Sequence, residues 1–328
     1  MSRGAPRYSV RLDPWAADYE SGLGLVESDE EPWAEVDTAV EVDPGDWRPI
    51  RPGRGPRPAT LAFVDGVRRI EHRLLLESDD DRTVFGLLGS YAVGATCVDD
   101  RARVVHEQVE RVACVGGGVA LSRLEAPVPG GRHTLVFTPQ ATPENTPVAP
   151  VQCLQNSMRR REAALGEALA AEGGLVFLDG PLTFLSESAR PVVGYVKRLL
   201  KAYLQAPESA VLRRLRGGER SPLFLIRSQA PRYSWYLRLA PGRAIDASLA
   251  GIVRLETSGA LGLPLVRELA DVCARELPRF ASSPERDPRA PQNLYPIGGL
   301  ETALRHLLGD HLILRRAIES RLHAAAWG

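Results

Sequence analysis

The chain of 328 residues is long enough to bury a sizeable core, as one large domain or two small ones, and its 44% hydrophobic and 25% charged residues are ordinary globular values. Forty-one basic residues balance 41 acidic ones, which excludes a global basic field for nucleic acid and leaves any such surface to local clusters. Only Lys197 and Lys201 are lysines, so a lysine that remains in so Arg-rich a chain is a candidate for chemistry that arginine does not replace. No run approaches the length of a membrane span, and the polar N-terminus has no apolar signal segment. The four cysteines, Cys97, Cys114, Cys153 and Cys273, form no CxxC pair. These features predict reduced thiols in a cytoplasmic protein without a membrane anchor.

Residues 1–58 read as an extension, with the domain proper over 59–328. The acidic stretch from Asp29 to Asp46 carries Trp33, with Trp47 directly after it and Trp15 ahead of it. The segment RPIRPGRGPRP (48–58) then favours an extended linker without a core of its own. Such an arm is either solvated or anchored by its tryptophans on a partner or second subunit. Three apolar segments follow, Leu61–Val67, Ile70–Leu76 and Val84–Thr96, joined by tight turns, the last of them the acidic ESDDD loop (77–81). They predict a three-stranded antiparallel meander. Val104–Val115 and Thr134–Thr138 add strands, and Gly116-Gly117-Gly118 reads as a plain turn.

After a Pro-rich loop over 139–150, Met158–Glu172 has a helix composition and stops at Gly173-Gly174. Leu175–Gly180 (LVFLDG) is an apolar run ending on Asp-Gly, the signature of a buried strand and its turn. Pro191–Tyr203 begins as a strand and continues as a basic helix carrying Lys197, Arg198 and Lys201. Leu223–Ile226, Tyr233–Leu239 and Gly251–Glu256 read as strands, Leu263–Pro278 as a helix, 284–296 as a Pro-rich loop holding Tyr295, and Leu300–Leu308 and Leu312–Ala325 as closing helices. Meander, helix, strand and further α/β elements are the order of a ribonuclease-H-like fold, a mixed sheet flanked by helices.

Asp179 ends one apolar strand, Asp65 ends another of the same form (Leu61–Gly66, LAFVDG), and Glu162 lies on the helix between them. Carboxylates on two strand ends and one helix are the oxygen ligands that Mg²⁺ or Mn²⁺ requires. In a two-metal nuclease such ions activate the attacking water and stabilise the leaving 3′ oxygen, and Lys197 would contact the scissile phosphate. DNA would be held by Arg159, Arg160 and Arg161 beside Glu162, by Arg198 and Lys201, and by Arg214 in the 213–220 cluster. Tyr233, Trp235 and Tyr236 would stack single-stranded bases or pack in the core.

FVDG (63–66), the Glu162 helix leading into LVFLDGPL (175–182), PVVGYVKRL (191–199) and YPIGGLE (295–301) resemble the NurA nuclease family, over about residues 61–301. The resemblance implies a ribonuclease-H-like fold and a Mn²⁺-dependent nuclease with 5′→3′ exonuclease and single-strand endonuclease activity. It also implies a homodimeric ring docked on the hexameric ATPase HerA during DNA end resection at double-strand breaks. Carried over by position, Asp65, Glu162 and Asp179 match the metal-binding acids, and Lys197 and Tyr295 match accessory positions. The family's Ser after each Asp-Gly is replaced by Val67 and Pro181, which leaves room for a non-catalytic DNA-end-binding or loading subunit. Glu301, after the Tyr-Pro motif, is expected as a helix-start acid favoured by the dipole, with a fourth ligand as the alternative. A sugar-kinase-like ATPase would need Ser/Thr and more Gly after the strand Asp, which Asp65-Gly66-Val67-Arg68 lacks.

Overall fold

An 18-residue strand, Leu61–Ser78, runs through the middle of the molecule and carries neighbours on both edges. In this computed structural model residues 8–12, 35–185, 187–241 and 246–326 are described, so Trp15 and Trp33 lie outside the described residues. In chain order the strands are β1 (Tyr8–Leu12), β2 (Glu35–Asp37), β3 (Leu61–Ser78), β4 (Thr83–Val98), β5 (Ala102–Val115), β6 (Leu124–Pro127), β7 (Thr134–Ala141), β8 (Leu175–Asp179), β9 (Val192–Val196), β10 (Phe224–Arg227), β11 (Arg232–Arg238) and β12 (Ile252–Ser258). The helices are α1 (Ala149–Ala171), α2 (Val211–Arg214), α3 (Leu263–Glu276), α4 (Tyr295–Leu307) and α5 (His311–Ala326).

The strands form one mixed sheet in the order β2-β10-β11-β12-β9-β8-β3-β4-β5-β7-β6, with β1 paired to the far half of β3. The meander β3-β4-β5 is antiparallel, whereas β8 runs parallel to both β3 and β9. A parallel return needs a crossover, and α1 supplies it. Alternation along β3 sends Leu61 and Phe63 into a core shared with α3 and sends Ala62 and Val64 into a core shared with α1. Further along, Val67 packs with Leu300, Leu304 and Leu308 and seats α4.

Several expected boundaries are corrected. Leu61–Val67 and Ile70–Leu76 are one strand with a bulge between Ile70 and His72, not two strands around a turn. The Arg68-Arg69 pair, whose polarity suggested the break, is held in the sheet. Arg68 Nε bonds Gln155, and Arg69 donates to Glu71 (3.0 Å) and to the carbonyls of Leu308 (3.2 Å) and Gly309 (2.9 Å) after α4. Helix α1 begins at Ala149 with Pro150 in its first turn, where the missing amide costs nothing. By the same logic α4 begins at Tyr295-Pro296, inside the expected loop. No helix follows β9, because Lys197 turns to Asp179 and Leu199 packs on a core cluster.

Part of the expected extension joins the domain, while residues 51–58 form no strand. β2 pairs with β10, and Trp47, only 6% exposed, packs among Phe224, Ile226 and Tyr236. The Glu41 side chain, 7% exposed, takes both terminal nitrogens of Arg220 at 2.9 Å and accepts from the Leu223 amide at 2.7 Å. Trp235 is fully buried in the core rather than offered to bases.

Candidate active site

Phe63 stands opposite Phe177 and Val64 opposite Leu178 in the parallel β3–β8 ladder, so one further step sets Asp65 against Asp179. Asp179 ends its strand, as the Asp-Gly signal predicts; Gly180 turns the chain with φ +113° and donates to Tyr195 O at 3.0 Å. Asp65 does not end a strand, because β3 runs on to Ser78. The glycine beside it has another use. A β-carbon on Gly66 would collide with Glu162 Oε1 and lie 2.8 Å from Met158 Cγ, so the bare backbone is what lets α1 bring Glu162 down to the sheet. Glu162 lies on the buried stripe Leu154, Met158, Glu162, Gly166, Leu169, and is itself buried.

Asp65, Glu162, Asp179 and Glu301 all line one cleft of about 770 Å³. Asp65, Asp179 and Glu301 each place a carboxylate oxygen within 4.8 Å of the other two. Glu162 stands outside that tightest group, although its charge acts on Asp65. Burial first, then the carboxylates of Asp179 and Glu162, push Asp65 well above the usual carboxylate range. A buried carboxyl crowded by like charges favours either a proton or a cation.

Lys197 donates to Asp179 at 2.7 Å and to Asn293 Oδ1 at 2.8 Å. Asn293 donates in turn to Asp287 at 2.6 Å, Arg289 bonds Asp287 at 3.2 Å, and Arg289 also spans both oxygens of Glu301 at 3.0 and 3.1 Å. A polar chain thus runs around the cleft from Asp179 to Glu301. Burial alone would raise Asp287, but the bonds from Asn293 and Arg289 outweigh it and hold it at about 2. Tyr195, buried behind the floor, donates to Gln292 O at 2.6 Å and fixes the same loop.

The remaining expected residues divide. Arg159 and Arg198 line the cleft, joined by Arg68, Arg289 and Arg305, which the sequence did not single out. Arg160 stacks over Phe184 and Lys201 over Tyr203, and Arg214 donates to Trp47 O at 2.9 Å, so the structure uses these three in packing outside the cleft. Tyr295 does not line the cleft either; its exposed hydroxyl accepts from the Ser283 amide at 3.2 Å. Glu301 is not the expected helix-start acid: α4 begins at Tyr295, six residues earlier, and Glu301 lies mid-helix among Ile297, Leu300 and Leu304 on its buried stripe.

The family description "NurA domain" matches residues 98–303, well over half of the chain. The chain belongs to the NurA family. The match includes Glu162, Asp179, Lys197, Tyr295 and Glu301; Asp65 precedes it. No curated protein matches the sequence. Among solved structures, the NurA nuclease from Sulfolobus solfataricus is similar at 12% identity and a TM-score of 0.48, over 85% of this chain and 88% of that one. Of the two positions where the NurA pattern has Ser, Val67 is spent on seating α4 and Pro181 follows the Asp179-Gly180 turn. Among the described residues no helix is long and apolar enough to cross a membrane.

Proposed function

We propose that this protein is a divalent-metal-dependent DNA nuclease, a 5′→3′ exonuclease and single-strand endonuclease that works as a homodimer with a HerA-type hexameric ATPase in resecting double-strand-break ends. The reading is carried by one observation: in a NurA-family chain, the buried carboxylates of β3 and α1 and the partly buried one that ends β8 line the same open cleft. Asp65, Asp179 and Glu162 would hold the metal, Mn²⁺ or Mg²⁺. The donor set fits such a hard cation, since it is all carboxylate oxygen and includes one acid that burial and like charge leave in need of neutralisation. Bound there, the metal supplies water activation and stabilisation of the departing 3′ oxygen.

The chain's own groups do the rest. Asp65 would be the central ligand, since the charges of Asp179, Glu162 and Glu301 all act on it. Lys197 spends two of its three donors on Asp179 and Asn293, which leaves the third for a phosphate oxygen in the cleft. Arg159, Arg198, Arg68 and Arg305 surround an acidic floor with guanidinium groups, an arrangement that admits a phosphodiester strand by its backbone rather than its sequence. Asn293 and Tyr195 keep the wall in place.

The test is cleavage of end-labelled linear DNA with Mn²⁺, alone and with the ATPase, for the natural protein and for Asp65→Asn, Glu162→Gln and Asp179→Asn. The reading expects cleavage by the natural protein and its loss in all three variants at unchanged fold. DNA binding without cleavage by the natural protein would instead identify a loading subunit, the outcome that Val67 and Pro181 would then explain.

A further inference from the structure

The cleft floor holds a carboxylate that the Asp65–Glu162–Asp179 set does not use. Glu301 is 7% exposed and lies on the apolar stripe of α4, where an acid is costly unless it is paired. Its oxygens are taken up by Arg289 at 3.0 and 3.1 Å, with Arg305 at 3.5 Å. Yet one of them also stands within 4.8 Å of oxygens of Asp65 and Asp179, closer company than Glu162 keeps.

A second feature points to a ligand between them. Asp65 is 6% exposed, and its one hydrogen bond from a described residue is that of the Gly66 amide to Oδ1, at 2.8 Å. Its other oxygen has no donor among the described residues, on a floor where Lys197 is committed to Asp179 and Arg289 to Glu301 and Asp287. Arg289 is itself half exposed, on the loop before α4, and so is the member of its pair that can move.

We propose that Glu301 is a fourth carboxylate ligand of the metal, contributed by α4, and that Arg289 is its internal competitor. The guanidinium holds the Glu301 carboxylate at the edge of the site and yields one oxygen when a divalent cation binds between Asp65 and Asp179. This rests on the floor being the metal site, as proposed above.

Mn²⁺ calorimetry on the full-length chain, with a Mn²⁺-soaked crystal, tests it. Glu301→Gln is expected to weaken Mn²⁺ binding at least tenfold, Arg289→Gln to tighten it several-fold, and the soaked crystal to place a Glu301 oxygen in the coordination sphere. A salt bridge that merely braced the loop would make both substitutions act in the same direction. Should Glu301→Gln misfold, the double variant Glu301→Gln/Arg289→Gln, which keeps hydrogen bonding without either charge, carries the measurement. The inference is overturned if Asp65→Asn abolishes Mn²⁺ binding while Glu301→Gln binds like the natural protein, or if Mn²⁺ sits on the floor with Glu301 still spanned by Arg289. Undiminished binding by Asp65→Asn would instead overturn the metal-site reading itself.

Discussion

Glu162 occupies the space that a side chain on Gly66 would need, so the helix acid and the strand glycine are a matched pair. The glycine next to the strand acid is therefore there for close approach of α1, not for a turn. A β-carbon would have to displace both Glu162 and Met158. Gly66→Ala is expected to cost about 1–3 kcal/mol in overpacking. It should also lower Mn²⁺-dependent cleavage at least tenfold, since Glu162 moves off the floor. Thermal denaturation and a cleavage assay on the same variant separate the two effects.

Asp65 sets a pH dependence whose sign follows from its environment. A carboxyl raised by burial, and then by Asp179 and Glu162, binds its proton more tightly in the folded chain than in the unfolded one. Its contribution to stability is thus fully present below the unfolded pKa and is lost as pH rises through the folded value. With metal chelated, the protein is expected to lose stability as pH rises through that window, and Asp65→Asn to be about 1–2 kcal/mol more stable than the natural chain at alkaline pH. Because the metal needs the carboxylate, Mn²⁺ binding should release a proton and strengthen with pH by up to about tenfold per unit while Asp65 is protonated. Melting curves across pH and calorimetry in buffers of different ionisation enthalpy read these out.

Lys197 is one of two lysines in the chain, and its Nζ lies 2.7 Å from Asp179. Lys197→Ala is expected to lower the cleavage rate by about 10²–10³, the usual scale for removing a preorganised donor. Mn²⁺ affinity should not fall, since a positive charge has been removed from beside the site. Lys197→Arg should not restore the rate, because a planar fork does not reproduce the compact ammonium that bonds Asp179 and Asn293 together. Single-turnover rates and Mn²⁺ titrations distinguish loss of chemistry from loss of metal.

Glu41 and Arg220 join the 35–58 segment to the far side of the sheet, with side chains 7% and 3% exposed. Arg220 keeps Asp271 at 2.7 Å, but it loses its two-pronged partner and the Leu223 amide loses its acceptor, so Glu41→Ala is expected to destabilise the fold by about 1–3 kcal/mol. Denaturant unfolding measures it; a loss under 1 kcal/mol would mean that this segment contributes little to the domain.

The parts legible in the sequence were those whose signal is local. Leu175–Asp179 could be read as a buried strand ending at its acid because four apolar residues meet Asp-Gly. Strands β4 and β5, the later part of the crossover helix and the closing helices were legible in apolar pattern and composition, although the first two expected meander strands are one strand and α1 and α4 begin earlier than expected. What escaped depends on contacts distant in sequence. Arg68 and Arg69 looked like a break because Gln155 and the end of α4, which hold them in β3, are far away along the chain. Residues after Val196 have helix-forming composition, yet the pull of Asp179 and Asn293 on Lys197 overrides that propensity. Glu162 and Glu301 were ambiguous for the same reason: an acid on a helix is ordinarily solvated, and only the packing of α1 and α4 shows both on buried stripes. Trp47 read as part of an arm because its neighbours Phe224 and Tyr236 lie far downstream.

The central claim is that carboxylates from separate elements hold a divalent cation that cleaves DNA. Mn²⁺-dependent hydrolysis of labelled linear DNA by the natural protein and by Asp65→Asn, at matched fold by circular dichroism, tests it most directly. The account predicts cleavage by the first, abolished by chelation, and a loss of at least a thousandfold in the second. Cleavage by Asp65→Asn at the natural rate would contradict it.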